Sequence, residues 1–134
     1  MVHATQGATP FQVKIVASGH ELLADEPPDN GGTNAGPSPF DLVLAGLAAC
    51  TAITLRMYAG RKQWSGFDVA VRLRHRREGS AHLIDREVDV SGVPDSAGME
   101  RLRDIVERTP VTLALNGGFT ISTVLDETKA GAAR

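Results

Sequence analysis

Cysteine is the residue whose scarcity says most, because the 134-residue chain contains a single one, Cys50. A lone thiol cannot form a disulfide within its own chain, which excludes a disulfide-stapled secreted scaffold. A reducing, cytoplasmic location is therefore expected. Any thiol chemistry that the protein performs must pass through Cys50.

Strong net charge, metal-ligand motifs and a secretory leader are also missing. The formal net charge is -2, which argues against general binding to nucleic acids. The histidines at positions 3, 20, 75 and 82 have no metal-ligand spacing such as H-E-x-x-H, so we expect no metal and no cofactor. Residues 1–10 have neither the basic nor the apolar segment of a signal peptide, and we expect them to be loose, as we do residues 128–134.

No apolar run reaches the length of a membrane span. The longest, residues 42–55, has 14 residues and includes two threonines, whereas a span needs about 18 or more apolar residues. This segment is therefore predicted to be a buried helix, and no membrane partner is expected.

Alternation of apolar and polar residues predicts five strands. They fall at residues 11–16, 21–25, 64–77, 83–91 and 119–125. The first two and the next two should form hairpins. With helices between them, the order predicts a single α+β domain over residues 1–134, with an antiparallel sheet packed on a central helix.

The central helix has a clear start. Ser38, Pro39 and Asp41 have the pattern of an N-cap, a first helical position and a capping box. The helix should run to about residue 59 and stop at Gly60. Its first four turns are apolar on every face, so a second subunit is the natural cover and we predict a homodimer. The Pro-, Gly- and Asn-rich residues 26–37 before it should form an irregular, functional loop.

A second helix is predicted to open at residues 94–95 and to end before Pro110, which pushes Thr109 out of helical geometry. Two i,i+4 ion pairs, between residues 103 and 107 and between residues 104 and 108, should line its exposed side. Residues 111–115 then form a short apolar turn or helix. The arginines of residues 72–77 are interpreted as a solvated strand face.

Free cysteines usually behave as small buried hydrophobes, which is the simplest interpretation of Cys50. A position in the middle of a helix gains little from the helix dipole, and Arg56 lies off its face. Without a nearby cation, the thiol should titrate near or above about 8.5. Asp41 could act as a catalytic carboxylate, although its place in the helix cap already explains it.

Residues 36–59, which read G-P-S-P-F-D-L-V-L-A-G-L-A-A-C-T-A-I-T-L-R-M-Y-A, resemble the OsmC/organic hydroperoxide resistance family. The similarity continues through Arg61, Lys62 and Trp64, a Val/Leu-rich strand, and a helix ending at residues 107–111. It implies the OsmC-like fold, an intertwined homodimer in which antiparallel sheets from both chains wrap around long central helices.

The resemblance also implies a chemistry. Catalytic members reduce organic hydroperoxides with a thiolate on the central helix, which becomes a sulfenic acid. A second cysteine condenses with it to a disulfide, and thiols or lipoyl proteins reduce that bond. An arginine and a glutamate activate the first cysteine.

Carried over by position, Cys50 matches the reactive cysteine. The second cysteine of the family falls at Thr109, so the subgroup to which this chain is similar lacks the resolving thiol. The glutamate position holds Phe40, and Asp41 is the nearest acid.

The activating arginine of the family comes from the N-terminal region, where this chain has none before Arg56. Lys14 and His20 are the only basic substitutes there, and neither offers the bidentate fork of an arginine. Three of the four catalytic positions thus depart from the peroxidase pattern.

Two functions remain open, and with them whether the protein is an enzyme. In the first, Cys50, Thr109 and Asp41 form the site of a single-cysteine thiol peroxidase in oxidative stress defence, and an external thiol is the reductant. In the second, a non-catalytic relative binds a small hydrophobic ligand in the dimer crevice. Acyl transfer from Cys50 is weaker, because no histidine or oxyanion element points to it.

Overall fold

The computed structural model describes residues 1–127, which form two antiparallel sheets and three α-helices. Strands β1, β2 and β3 make the first sheet, in that order, and β4 and β5 make the second. The elements are β1 Val2–Gln6, β2 Val13–Ala17, β3 His20–Ala24, α1 Pro39–Arg61, β4 Asp68–Glu78, β5 Ala81–Ser91, α2 Ser96–Val106 and α3 Pro110–Gly117. The predicted α+β class and both hairpins are confirmed.

The N-terminal segment corrects one expectation, because residues 1–10 are not loose throughout. Strand β1 pairs with β2 from Val2 opposite Ala17 to Gln6 opposite Val13. Most of its side chains are exposed. Backbone hydrogen bonds therefore hold it rather than apolar burial, and a weakly alternating edge strand of this kind gives little signal in the sequence.

The loop after β3 is built around the buried carboxylate of Asp25. Its oxygens accept hydrogen bonds from the Glu26 N–H at 2.8 Å, the Thr33 N–H at 3.1 Å, the Thr33 hydroxyl at 2.7 Å and the Ala35 N–H at 3.0 Å. These donors, that of Ala35 first, lower the pKa of Asp25 to about 2. The loop is irregular apart from one 3₁₀ turn at Pro28–Asn30, as predicted, and it is fixed from within.

Helix α1 starts as the sequence predicts. The Asp41 N–H donates to Ser38 Oγ at 3.2 Å, and the Ser38 N–H donates to Asp41 Oδ2 at 3.1 Å, which completes the capping box.

The C-terminus of α1 differs from the prediction, because the helix runs past Gly60 to Arg61. It ends where Gln63 takes a left-handed φ of 58°. The Gln63 N–H donates to the Gly60 carbonyl and the Trp64 N–H to the Ala59 carbonyl, both at 3.0 Å. These two hydrogen bonds form a Schellman motif, in which the left-handed residue is most often a glycine. A glutamine holds the left-handed position here, so the glycine signal pointed three residues too early.

One stripe of α1 forms the centre of the core, at Leu47, Thr51, Leu55 and Ala59. Phe67 and Leu102 pack with the last two of these. The opposite face remains open, with Ile53 and Met57 exposed by 59% and 57%. By length and composition α1 could also cross a membrane, a test that the core helix of a soluble protein passes as well.

The hairpin of β4 and β5 lies along α1 with an apolar inner face and a charged outer face. Its register sets Val69 opposite Val90 and Val71 opposite Val88. On the outer face Arg72 pairs with Glu87 at 2.9 Å and with Asp89 at 3.0 Å. Farther along, Arg74 and Arg76 share Asp85. The predicted solvated strand face is thus a ladder of ion pairs.

Helix α2 begins at its N-cap Asp95, whose carboxylate accepts from the Gly98 N–H at 2.7 Å. Of its two predicted ion pairs, the one between Asp104 and Arg108 is present. The pair between residues 103 and 107 does not form, because Glu107 turns towards Arg86 at 3.8 Å.

The last predicted strand, residues 119–125, is not observed within residues 1–127. This stretch has no regular structure, and Phe119 and Leu125 are exposed by 69% and 94%. A strand forms only where it pairs with the edge of a neighbouring strand, and within residues 1–127 this segment pairs with none. The predicted loose tail at residues 128–134 lies outside the described residues.

Candidate active site around Cys50

Cys50 lies half-buried at the middle of α1, facing the junction between α2 and α3. The junction is the Thr109-Pro110-Val111 turn, in which Thr109 caps α3 and Pro110 takes its first helical position. The Val111 N–H donates to Cys50 Sγ at 3.5 Å. The structure thus brings Thr109 and Cys50 together, although 58 residues separate them in the sequence.

This contact places the sulfur at the N-terminus of α3. The first N–H groups of a helix have no partner inside it, and the helix dipole makes this end positive. A thiolate is stabilised in such a position, and its pKa falls. Cys50 therefore gains from the dipole of a neighbouring helix what the middle of its own helix cannot supply.

Arg86 is the cation of the site. It projects from β5 into the core with only 13% of its side chain exposed. Its guanidinium donates to Thr51 Oγ1 at 3.0 Å, to Thr112 Oγ1 at 2.9 Å and to the Val106 carbonyl at 2.8 Å. These acceptors tie together α1, the end of α2 and the start of α3, and they satisfy a charge that would otherwise be costly to bury.

The pKa of Cys50 reflects opposing effects. Partial burial raises the pKa of the thiol, but the Val111 N–H, the hydroxyls of Thr109 and Thr54 and the positive charge of Arg86 together outweigh it. The net result is a pKa below the ordinary value for cysteine. The expectation that no cation lies near Cys50 is therefore wrong, and nothing in the sequence indicated one because Arg86 is distant along the chain.

Thr109 is fully buried, and its hydroxyl lies 2.6 Å from that of Thr112. The Thr112 hydroxyl in turn accepts from Arg86. A chain of hydroxyls therefore joins the arginine to the residue beside the sulfur.

Asp41 does not join this group. It lies nine residues before Cys50, which in an α-helix corresponds to about 13 Å along the axis and the opposite face. Its carboxylate is bound to the Ser38 N–H in the helix cap.

Lys14 and His20 lie in β2 and β3 of the first sheet, and their side chains are exposed. Arg56 donates to the Phe67 carbonyl instead of facing the sulfur. None of the basic residues that the sequence suggested therefore reaches Cys50 within the described chain.

Arg86 was missed, although the sequence carries a signal for it. In β5 the residues Ile84, Arg86, Val88 and Val90 share one strand face, because side chains alternate with a period of two. An arginine in the apolar register of a half-buried strand points into the core. Such a residue is a better candidate for a functional cation than the arginines of the outer face.

A cavity of about 590 Å³ opens beside Arg86, over the N-terminal half of α1. We call it the apolar cavity. Its apolar wall is formed by Phe40, Val43, Leu44, Leu47, Leu83, Ile84 and Leu115. Its polar lining consists of Arg86, Glu107, Thr112, Asn116 and two stacked histidines, His75 and His82, whose rings hydrogen-bond at 2.9 Å. Its size and lining suit a small, mainly apolar molecule.

Among residues 1–127, no group of three or more histidine, cysteine or carboxylate side chains could hold a metal ion. The groups around the Cys50 sulfur are an amide N–H, hydroxyls and a guanidinium. Such a set can stabilise a sulfur anion and, after oxidation, an oxygen bound to that sulfur.

Comparison with solved structures shows the same fold in several bacterial proteins. An OsmC-like protein from Mycoplasma pneumoniae matches with a TM-score of 0.68 at 18% identity, over 87% of this chain and 86% of that one. A putative osmotic stress induced and detoxification response protein from Psychrobacter arcticus matches with a TM-score of 0.67 at 18% identity, over 84% and 85%. An organic hydroperoxide resistance protein OsmC from Legionella pneumophila gives 0.60 at 19% identity, over 87% and 88%.

No curated protein matches the sequence. The family model for OsmC-like proteins matches residues 31–124, which include α1, the second hairpin and both later helices. This match spans more than half of the chain and contains Cys50, Arg86 and Thr109. The chain therefore belongs to the OsmC-like protein family.

Proposed function

We propose that the protein is a single-cysteine thiol peroxidase that reduces organic hydroperoxides. The observation that carries this proposal is the contact of Cys50 Sγ with the N-terminus of α3, close to the buried charge of Arg86. Both features favour a thiolate, which is the reactive form of cysteine. The Legionella structure, described as an organic hydroperoxide resistance protein, supports the choice of substrate class.

In the oxidative step the Cys50 thiolate attacks the terminal oxygen of the hydroperoxide. The S–O bond forms as the O–O bond breaks, and the alkoxide leaves as an alcohol after taking up a proton. Sulfur is oxidised to a sulfenic acid and the peroxide is reduced. The organic group lies in the apolar cavity, which opens on the Arg86 side of α1.

In the reductive step an external thiol must resolve the sulfenic acid. Thr109 occupies the position of the family's second cysteine and has no sulfur with which to do so. Its buried hydroxyl instead stabilises the sulfur anion and holds the α3 terminus in place. The sulfenic acid therefore waits for a thiol from solution, and a small reductant or a carrier protein can supply it.

The decisive test exposes the reduced protein to a short pulse of cumene hydroperoxide in the presence of a sulfenate trap. Intact-mass spectrometry should show one trapped adduct, formed rapidly at neutral pH and absent from a Cys50→Ser variant. A thiol that stays unmodified while a free small thiol in the same tube is consumed would exclude a peroxidase.

We further propose that the protein is a homodimer built on the open face of α1. Only 22% of the most apolar stretch of this helix is buried in its own chain. The exposed apolar residues 119–125 lack a partner strand, and no extensive packing joins the first sheet to a helix within residues 1–127. A second copy would offer cover for all three surfaces.

A second candidate function is the binding of a small hydrophobic ligand without chemistry at Cys50. The size and apolar wall of the apolar cavity favour it. Binding of a fluorescent fatty acid to the Cys50→Ser variant, together with an inert Cys50 in the peroxide test, would support this alternative.

A further inference from the structure

A second cavity, of about 470 Å³, lies over the C-terminal half of α1, between that helix and α2. We call it the basic cavity, because four cationic side chains line it: Arg61, Lys62, Arg101 and Arg108. Tyr58 and Ile105 supply its apolar surface. No step of the proposed oxidation uses this cavity.

The positive charge of the basic cavity is only partly neutralised. Arg101 pairs with Asp104 at 2.9 Å, and Arg108 pairs with the same carboxylate. Within residues 1–127, the ion pairs of this region include neither Arg61 nor Lys62. Two cations share one anion while two more face the same space, so the cavity attracts anions.

Thr54 connects the basic cavity to the sulfur. It lines the cavity, and its hydroxyl lies 3.9 Å from Cys50 Sγ. Helix geometry explains the connection, because Thr54, Tyr58 and Arg61 follow Cys50 at successive intervals of three or four residues along one side of α1. The apolar cavity takes its α1 residues from positions 40–47, and the basic cavity takes its α1 residues from positions 54–61. Cys50 lies between them.

We propose that the basic cavity binds the reductant, and that this reductant is a small thiol carrying carboxylate or phosphate groups. The inference rests on the proposed peroxidase function and names the class of its second substrate. The anionic groups of the thiol pair with Arg61 and Lys62, and its sulfur reaches Cys50 past Thr54. The peroxide enters from the apolar cavity, so the two substrates approach the sulfur from opposite ends.

The reduction balances in two exchanges. The thiol attacks the sulfenic acid, an S–S bond forms to Cys50, and the oxygen leaves as water. A second molecule of the same thiol then attacks the outer sulfur of this mixed disulfide. The Cys50 thiolate departs, and the product is the disulfide of the small thiol.

The size of the cavity favours a small thiol over an acidic carrier protein. Its volume lies within the range of pockets that enclose small molecules, roughly 300–1,000 Å³. The cations line a concave space rather than a flat patch, so their charge is focused on what enters it. A carrier protein would instead need a broad complementary surface around the cavity.

The test follows the reductive half alone and needs no peroxide. Cys50 is first converted to its mixed disulfide with a neutral thiopyridyl group. Release of thiopyridone is then timed with glutathione, which carries carboxylates, with coenzyme A, which carries phosphates, and with neutral 2-mercaptoethanol. Each rate is divided by the rate of the same thiol with a small thiopyridyl disulfide, which removes intrinsic reactivity.

We expect the normalised rate of at least one anionic thiol to exceed that of 2-mercaptoethanol and to fall as salt is added. If glutathione is faster the cavity prefers carboxylates, and if coenzyme A is faster it prefers phosphates. A double variant, Arg61→Gln with Lys62→Gln, should slow the anionic thiols by about tenfold and leave 2-mercaptoethanol unchanged. The control double variant, Arg74→Gln with Arg103→Gln, removes the same charge from exposed arginines outside the cavity and should have no such effect.

Equal normalised rates for anionic and neutral thiols would overturn the proposal. So would equal slowing in both double variants, which would reflect overall charge alone. Anion-dependent exchange in a protein whose Cys50 ignores hydroperoxides would instead refute the peroxidase and retain the basic cavity as a thiol site. The two proposals can thus fail separately.

Discussion

At the residue scale, the buried charge of Arg86 is held in place by hydrogen bonds to the same elements that it ties together. Three acceptors on three elements receive its N–H groups. Among residues 1–127 the one carboxylate within 4 Å of it, that of Glu107, is 73% exposed. A buried cation without a close anion interacts more strongly with other nearby groups, because the dielectric constant of the protein interior is low. The Cys50 thiolate is such a group.

Replacement of Arg86 should therefore change the titration of Cys50. In Arg86→Gln the pKa of Cys50 should rise towards its ordinary value, because the positive charge that favours the thiolate is gone. The rise lowers the fraction of Cys50 that is thiolate at neutral pH, and with it the rate of reaction. The pH dependence of the alkylation rate measures the shift, and Arg72→Gln on the outer strand face is the control. An unmoved pKa in Arg86→Gln would remove Arg86 from the mechanism.

Asp25 gives the fold a dependence on acid. Its pKa is lowered from 3.8 to about 2 in the folded chain, so the folded state binds its proton more weakly than the unfolded state does. The stabilisation is fully present above pH 3.8 and is lost as the pH falls towards 2.

Thermal unfolding followed between pH 5 and pH 2 should show this loss as a falling melting temperature. In Asp25→Asn the same fall should be smaller, from a lower starting value, because an amide cannot accept from all the donors of the carboxylate. Parallel pH profiles for the two proteins would mean that other carboxylates cause the loss.

At the element scale, the caps of the helices were readable in the sequence and the long-range partners were not. Ser38, Pro39 and Asp41 define the start of α1 within four residues, and local chemistry is enough to predict it. The strand predicted at residues 119–125 has a suitable local pattern, yet its formation depends on an edge that lies elsewhere. A strand needs both a suitable pattern of residues and a neighbouring strand to pair with. Only the pattern can be read from the residues of the segment itself.

The residues of the candidate site also fall into those that the sequence identifies and those that it does not. Cys50 and Thr109 were found because a family resemblance marked their positions, and the structure places them side by side through Val111. Asp41 was proposed from its closeness in sequence to the family's glutamate position, and helix geometry puts it on the far face. Arg86 belongs to a strand far along the chain, and only the register of β5 reveals that it points inward.

The end of α1 makes a prediction about stability. Gln63 holds a φ of 58°, a left-handed conformation that costs a residue with a side chain roughly 1–2 kcal/mol. Glycine has no such cost but loses more backbone entropy on folding. We therefore expect Gln63→Gly to stabilise the protein by about 0.5–1 kcal/mol in denaturant unfolding. Gln12→Gly in the N-terminal loop, where φ is not positive, should give no gain.

At the scale of the whole molecule, the described chain buries one side of its most apolar helix and leaves the other open. Val43, Ile53 and Met57 are each exposed by 42% or more. Exposed apolar area of this extent on one helix is unusual for a protein that works alone. Cys50 lies between the buried and open faces, so a subunit seated on α1 would also border the apolar cavity.

Ile53→Glu tests this arrangement. Ile53 is 59% exposed in its own chain, so a glutamate there should leave the fold of one subunit intact, as far-UV circular dichroism can confirm. In a dimer the same carboxylate would be buried between two apolar helices at a cost of about 3 kcal/mol or more, which weakens association at least a hundredfold. Sedimentation velocity over a range of concentrations should therefore show a dimer for the natural chain and a monomer for the variant. Ala70→Glu, which adds the same charge to the exposed outer face of β4, should remain dimeric. A natural chain that is monomeric at every concentration would refute the dimer and leave the open face of α1 without an occupant.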